Sequence, residues 1–149
     1  MSQFEAHSVR FQFPEDWELT EQAEGRDVFL TVSNRGSSFW SLSLFPDRPA
    51  ATEVLESALE AFREEYEELD EYFTQATVCG HEALACELEF VCLELINSAF
   101  FRVFTTEDFT VLVLYQGTDH ELVETHDLLE AISSSLNCDS GFNDEEQII

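Results

Sequence analysis

The chain has 149 residues, with thirty-two Asp and Glu against six Arg and no Lys, for a formal charge of -26. Nucleic acids and anionic membrane surfaces are excluded as partners, because both are bound mainly through Lys and Arg that neutralise phosphates. A disordered acidic tail is excluded too: 44% of the residues are hydrophobic and fourteen are Phe, enough for the core of one domain.

Val9, Phe11 and Phe13 alternate with Arg10 and Gln12, the period of a half-buried strand, and Pro14-Glu15-Asp16-Trp17 reads as the turn that ends it. Val28, Leu30 and Val32 alternate again, and Asn34-Arg35-Gly36-Ser37 is predicted to be a hairpin turn with Gly36 at positive φ. The return strand carries Trp40, Leu42 and Leu44 on one side and stops at Pro46. From Pro49 to Leu69 the period becomes helical, with Leu55, Ala58, Leu59, Phe62, Tyr66 and Leu69 in one stripe.

Residues 72–79 return to strand, and Cys79-Gly80-His81-Glu82 reads as a tight turn. Leu84, Cys86, Leu88, Phe90 and Cys92 then share one face of a strand, with Glu87 and Glu89 on the other. Segments near 96–105 and 109–116 are apolar on both faces, as strands in the middle of a covered sheet are. Thr118-Asp119-His120-Glu121 has the form of a capping box and opens a second helix, with Leu122, His126, Leu129, Ile132 and Leu136 as its buried stripe.

Three strands, a helix, four strands and a helix, joined by short connections, predict an α+β fold. It is a three-layer α/β/α sandwich with a central antiparallel sheet of six to seven strands and helices on both faces. One domain over residues 1–136 is expected, followed by a polar, flexible tail over 137–149.

Several of these segments together resemble the Mog1/PsbP-like superfamily and its bacterial branches. The matching stretches are Phe13-Pro14-Glu15-Asp16-Trp17 closing the first strand, and Phe39-Trp40-Ser41-Leu42-Ser43-Leu44 leading into the long helix. The Val78-Cys79-Gly80 turn, the Phe101-Arg102-Val103-Phe104 and Val111-to-Tyr115 strands, and the closing Ser133-Ser134-Ser135-Leu136 complete the match over residues 4 to 136. The resemblance implies a sandwich with a mostly non-enzymatic role, since such proteins include a Ran GTPase regulator, extrinsic photosystem subunits and chaperones of type VI secretion effectors. Its motifs are framework positions, so it carries over no binding residue.

The acidic run Glu64, Glu65, Glu67, Glu68, Asp70 and Glu71 breaks a local rule, because it falls at the predicted C-terminal end of the first helix, where the macrodipole is already negative. Glu64, Glu67, Glu68, Asp70 and Glu71 are therefore the candidate partner-binding residues, although such a run also arises simply as solvated surface. The four Cys form no C-x-x-C pair and read as structural thiols, so no metal site is expected from them. His120 and Glu124, four apart with Asp127 nearby, are a weak cation-site pattern, and His81 reads as a turn residue.

No Walker loop, nucleophile elbow, dinucleotide fingerprint or metalloprotease motif is present, so no catalytic residue and no cofactor is assigned. The expectation is a non-enzymatic protein-interaction module, an adaptor or chaperone-like protein, whose partner is another protein that is basic or presents an apolar segment. A small-ligand or cation-binding protein, or an unrecognised enzyme, is the alternative, with His120 or His126 facing a cleft as its mark. Met1 to Arg10 holds no apolar signal-type run and the chain no span-length apolar segment, so a cytoplasmic protein without membrane insertion is expected.

Overall fold

Four tight hairpins organise the chain, and none of them closes on the Asn-Gly pair that such turns favour. The computed structural model describes residues 1–138. Strands β1 (Ser2–Ala6) and β2 (Val9–Phe13) meet at His7-Ser8, both at positive φ, the type I′ geometry that matches strand twist. Strands β3 (Glu18–Glu24) and β4 (Asp27–Ser33) join at Gly25-Arg26, with only Gly25 at positive φ, as a type II′ turn requires. Strands β6 (Leu69–Val78) and β7 (His81–Cys92) turn at Cys79-Gly80, and β7 reaches β8 (Leu95–Thr105) through Leu93-Glu94; all four turn residues have positive φ.

With β5 (Phe39–Phe45) and β9 (Thr110–Thr118), seven strands form one sheet in the order β3-β4-β5-β9-β8-β7-β6, every neighbour antiparallel. The antiparallel α+β architecture is as expected, and the two-sided strands β8 and β9 do lie in the sheet's middle. Helices α1 (Ala51–Glu65) and α2 (Asp119–Ser135) each cover a separate apolar cluster. Val111, Val113 and Tyr115 of β9 join the α2 cluster, whereas Leu112 and Leu114 pack on the α1 cluster. Alternate strand residues point to opposite faces, so the two clusters lie on opposite sides of the sheet. The β1–β2 hairpin stands outside the sheet and packs Val9, Phe11 and Phe13 into the α2 cluster, with the Phe11 ring 4.8 Å from that of fully buried Trp40.

Several expectations need correction. Five strands precede α1 rather than three: β1 offers one large apolar residue, Phe4, and β3 is a mostly exposed edge without alternation. The first helix stops at Glu65, not Leu69. Tyr66 turns extended after its N–H reaches Phe62 O, and its ring packs 4.4 Å from that of Phe90, while Leu69 pairs with Phe90 to start β6. Sheet pairing thus wins over helix extension in a segment whose acids the helix dipole already disfavours.

The Cys79-to-Glu82 turn shrinks to two residues, and His81 begins β7, stacked 5.3 Å from Phe104. His126 is half-exposed rather than buried, and Thr125 takes its place in the stripe. Of the tail expected over 137–149, the first two residues belong to the folded part. Asn137 exchanges backbone hydrogen bonds with Arg10 at 2.9 and 3.0 Å, and Cys138 is buried; residues 139–149 lie outside the described part.

Gly36 is not among the residues at positive φ. Its space is taken by Glu121: a Cβ there would sit 2.9 Å from Glu121 Cδ and closer still to Oε2. The capping box is therefore only half formed. Thr118 Oγ1 accepts from Glu121 N–H at 3.3 Å, but the Glu121 carboxylate turns to the β4–β5 loop. There it accepts from Asn34 Nδ2 at 2.8 Å, Ser38 N at 3.0 Å and Ser37 N at 3.2 Å. Burial pushes the Glu121 carboxyl up, and these donors more than offset that, holding it at about 2.

Candidate functional site: the β6–β7–β8 end

At the end of the sheet where β7 turns into β8, apolar side chains that a core would normally claim stand in solvent. Among the described residues eight large apolar side chains are exposed, and six of them, Tyr72, Phe73, Val91, Leu93, Leu95 and Ile96, belong to β6, β7, β8 and the β7–β8 turn. Scattered surface apolar residues are ordinary, but a cluster is not. Cross-strand pairing brings Val91 opposite Ile96 and Cys92 opposite Leu95, and Leu93 projects from the turn at 90% exposure. A leucine at positive φ is a steric outlier that Gly or Asn would relieve.

Acid surrounds this apolar end. Glu68, Asp70 and Glu89 line a shallow cleft of about 380 Å³ with Leu69, Phe90, Val91 and Ile96. Asp70 and Glu89 are directly opposite each other in the β6–β7 register, an arrangement that like charges make unfavourable. No arginine lines the cleft.

The five acids singled out in the sequence do not form one patch. Leu69 packs on the α1 cluster, so Glu71 and Phe73 share the α1 face while Asp70 and Tyr72 point to the other. Glu64 stays on the solvent side of α1 beside Glu53, Glu56 and Glu60, and Glu67 is exposed in the turn after the helix. Glu71 is gripped by Arg63, whose Nε and Nη2 donate to its two oxygens at 2.6 and 2.9 Å, and Arg63 also holds Glu56 at 3.1 Å. The Arg63 hydrogen bonds hold the Glu71 carboxyl below its ordinary value, and the guanidinium is correspondingly raised by Glu71 first and Glu56 second. Only Glu68 and Asp70 reach the cleft, where Glu89 joins them. The signal for Glu89 was in the sequence, in the acidic face of β7 formed by Glu87 and Glu89.

Further along the same face lies a polar group closed on itself. Tyr115 donates its hydroxyl to Glu130, its ring stacks 5.0 Å from Phe100, and the Arg102 guanidinium sits 6.0 Å from its centroid. Burial first and Glu130 second push the Tyr115 hydroxyl well above its ordinary value, against the pull of Arg102. His126 meets Phe100 edge-on at 5.5 Å and approaches Glu130 at 3.9 Å. His120 is exposed in the first turn of α2, and among the described residues no group of three or more His, Cys, Asp and Glu could hold a metal ion. A wider cleft of about 650 Å³ runs beside the far half of β6, lined by residues such as Gln75, Ala76, Thr77, Phe104 and Thr105, with Glu82 its one charged group.

No protein-family model matches the sequence, and no curated protein matches it. Solved structures do. The cyanobacterial PsbP of Synechocystis sp. PCC 6803 superimposes with a TM-score of 0.60 over 91% of both chains at 12% identity. The fold is PsbP-like. A Pseudomonas aeruginosa protein of unknown function, PA94, gives 0.57 at 10% identity over 91% of this chain and 94% of its own. A Bacteroides thetaiotaomicron protein gives 0.60 at 10% identity, and there the chain spans about half the length of its counterpart (47%). LpqN of Mycobacterium tuberculosis, involved in cell envelope biogenesis, gives 0.50 at 15%. At such identities the likeness is one of fold, and function has to come from the site.

Proposed function

We propose that the chain is a non-enzymatic interaction module, an adaptor or chaperone-like protein, that holds another polypeptide at the β6–β7–β8 end of its sheet. What supports this most is a single coincidence: among the described residues six of the eight exposed large apolar side chains belong to β6, β7, β8 and the β7–β8 turn, and two of them, Val91 and Ile96, line the cleft with Glu68, Asp70 and Glu89. Apolar area supplies affinity, and clustered charge of one sign selects and steers a partner of the other. The partner is accordingly basic and carries apolar side chains. A ligand-binding or catalytic role has less support, because the Tyr115–Glu130 pair uses its polar groups internally and the wider cleft gathers no set of ionisable side chains. No helix of the described residues is long and apolar enough to cross a membrane. A cytoplasmic setting belongs to the same proposal.

The test is quantitative affinity capture from the native host with the wild type, a patch variant (Leu93→Ser, Leu95→Ser, Ile96→Ser) and a control variant on α1 (Glu53→Gln, Glu60→Gln). The proposal expects at least one protein retained by wild type and control, and lost by the patch variant. Identical capture by all three would refute it.

A further inference from the structure

The two edges of the sheet are treated differently. Edge strand β3 carries Glu18, Glu21 and Glu24 within seven residues, and His7 lies 2.7 Å from Glu21, so charge and a neighbouring side chain obstruct it. Edge strand β6 has ten residues, and from Tyr72 to Val78 there is no charge, no proline and no glycine. Folded proteins usually blunt such an edge, because its unpaired amides and carbonyls are a template for another strand.

The register fixes which groups face outward. Leu69 pairs with Phe90, so Glu68 stands opposite Val91, and Val91 N donates to Glu68 O at 3.2 Å. Hydrogen-bonded and non-hydrogen-bonded pairs alternate along an antiparallel ladder. Asp70, Tyr72, Thr74 and Ala76 therefore turn their backbone groups toward β7, while Leu69, Glu71, Phe73, Gln75 and Thr77 turn theirs to the open edge. Phe73, at 63% exposure, stands beside that edge on one face, and Tyr72, at 52%, on the other.

We propose that the open edge of β6 captures an extended, basic segment of another polypeptide as an eighth strand of the sheet. This rests on the interaction reading above and adds the binding mode and the chemistry of the partner segment. A second copy of this chain is a poor occupant, since pairing would bring together two molecules of formal charge -26 that lack Lys altogether. Charge complementarity selects a segment carrying Lys or Arg. On the face shared by Asp70, Glu87 and Glu89 its basic side chains meet acid, and on the alternate face β-branched or aromatic side chains meet Phe73. Alternation of basic and apolar residues is thus the signature of the segment.

The probes are decapeptides alternating Lys or Arg with Val or Phe, isomers with the alternation scrambled, and alternating peptides N-methylated at every second amide. Binding is read by fluorescence anisotropy and by residue-resolved amide exchange on the full chain. The expected result is binding of the alternating peptides that weakens as salt screens it, with new protection at the amides of Glu71, Phe73, Gln75 and Thr77. Scrambled and N-methylated peptides should bind worse. Gln75→Pro removes an outward donor without a ladder bond, so it should leave the melting temperature near wild type and weaken binding roughly tenfold, the value of one hydrogen bond. Unaltered exchange at those four amides, or equal binding by the N-methylated peptides, would overturn strand addition alone. Failure of every alternating peptide to bind, together with unchanged capture by the patch variant, would overturn the interaction reading as well.

Discussion

Glu121→Gln tests whether one carboxylate fastens α2 to the loop between β4 and β5. Three donors converge on it, two of them backbone amides of Ser37 and Ser38, and the replacement amide presents a donor of its own to that group. The carboxyl moves from 4.5 in the unfolded chain to about 2 in the folded one. At about 1.4 kcal/mol per unit this is a ceiling of about 3 kcal/mol, which solvent at a partly exposed site lowers to roughly 2. Because the folded value lies below the unfolded one, the contribution is complete above pH 4.5 and is lost as pH falls toward 2. Urea unfolding of wild type and variant, followed by the fluorescence of buried Trp17 and Trp40, should show a gap of roughly 2 kcal/mol at neutral pH that narrows steadily below pH 4.5. The difference between the two proteins isolates this group from the general relief of repulsion that acid brings. A gap that keeps its full size near pH 3 would mean that neutral geometry, and not the charge, makes the contact.

Gly36→Ala should push the Glu121 carboxylate off its donors and cost about 1–3 kcal/mol in wild type, yet almost nothing in a Glu121→Ala background; additive losses in that double-mutant cycle would exclude the coupling. Ser133→Ala leaves the indole N–H of fully buried Trp40 without its acceptor at 2.8 Å, so calorimetry should register a loss of about 1–3 kcal/mol and Ser133→Thr should retain most of it. Melting temperature should rise from low to molar NaCl as screening relieves a charge of -26, and a flat profile would count against repulsion as a stability term. Leu93→Asn with Glu94→Gly supplies the residues a type I′ turn favours, so it should stabilise the fold by about 1 kcal/mol or more while weakening partner capture. A loss of stability there would show that the leucine is structural.

The elements read correctly are those whose burial writes a period into the sequence. Strands β8 and β9 carry apolar residues on both faces, most clearly in the run Val111–Tyr115, and α1 appears as a stripe under Leu55 and Leu59. Strand β3 has no such period, because an edge strand with six of seven residues exposed is held by pairing with β4 and not by core contacts. The turn at Leu93-Glu94 was hidden for the opposite reason: it lacks every residue type that announces a turn. The acidic run was conspicuous, but its division between helix, turn and strand depends on where α1 ends, and Tyr66 decides that by packing on Phe90. Pairing between Asp70 and Glu89 joins residues nineteen positions apart and becomes visible only through the β6–β7 register.

Three departures from what folding alone would favour meet at one end of this sheet. Leu93 and Glu94 occupy left-handed backbone at about 1–2 kcal/mol each where glycine would sit freely, and Leu93 buries almost nothing in return. Asp70 faces Glu89 across a strand pair with no cation in the cleft lining to relieve them. A ten-residue edge strand, uncharged from Tyr72 to Val78, is left open on a protein that has acid to spare for blunting it, as β3 demonstrates. Each could be repaired by one or two substitutions. Their common address makes sense if the compensating contacts lie outside the chain: an apolar segment to cover Leu93, cationic side chains for Asp70 and Glu89, and a strand to complete β6. A local rule broken without internal compensation is the physical mark of a site, and here three unrelated rules are broken by neighbours.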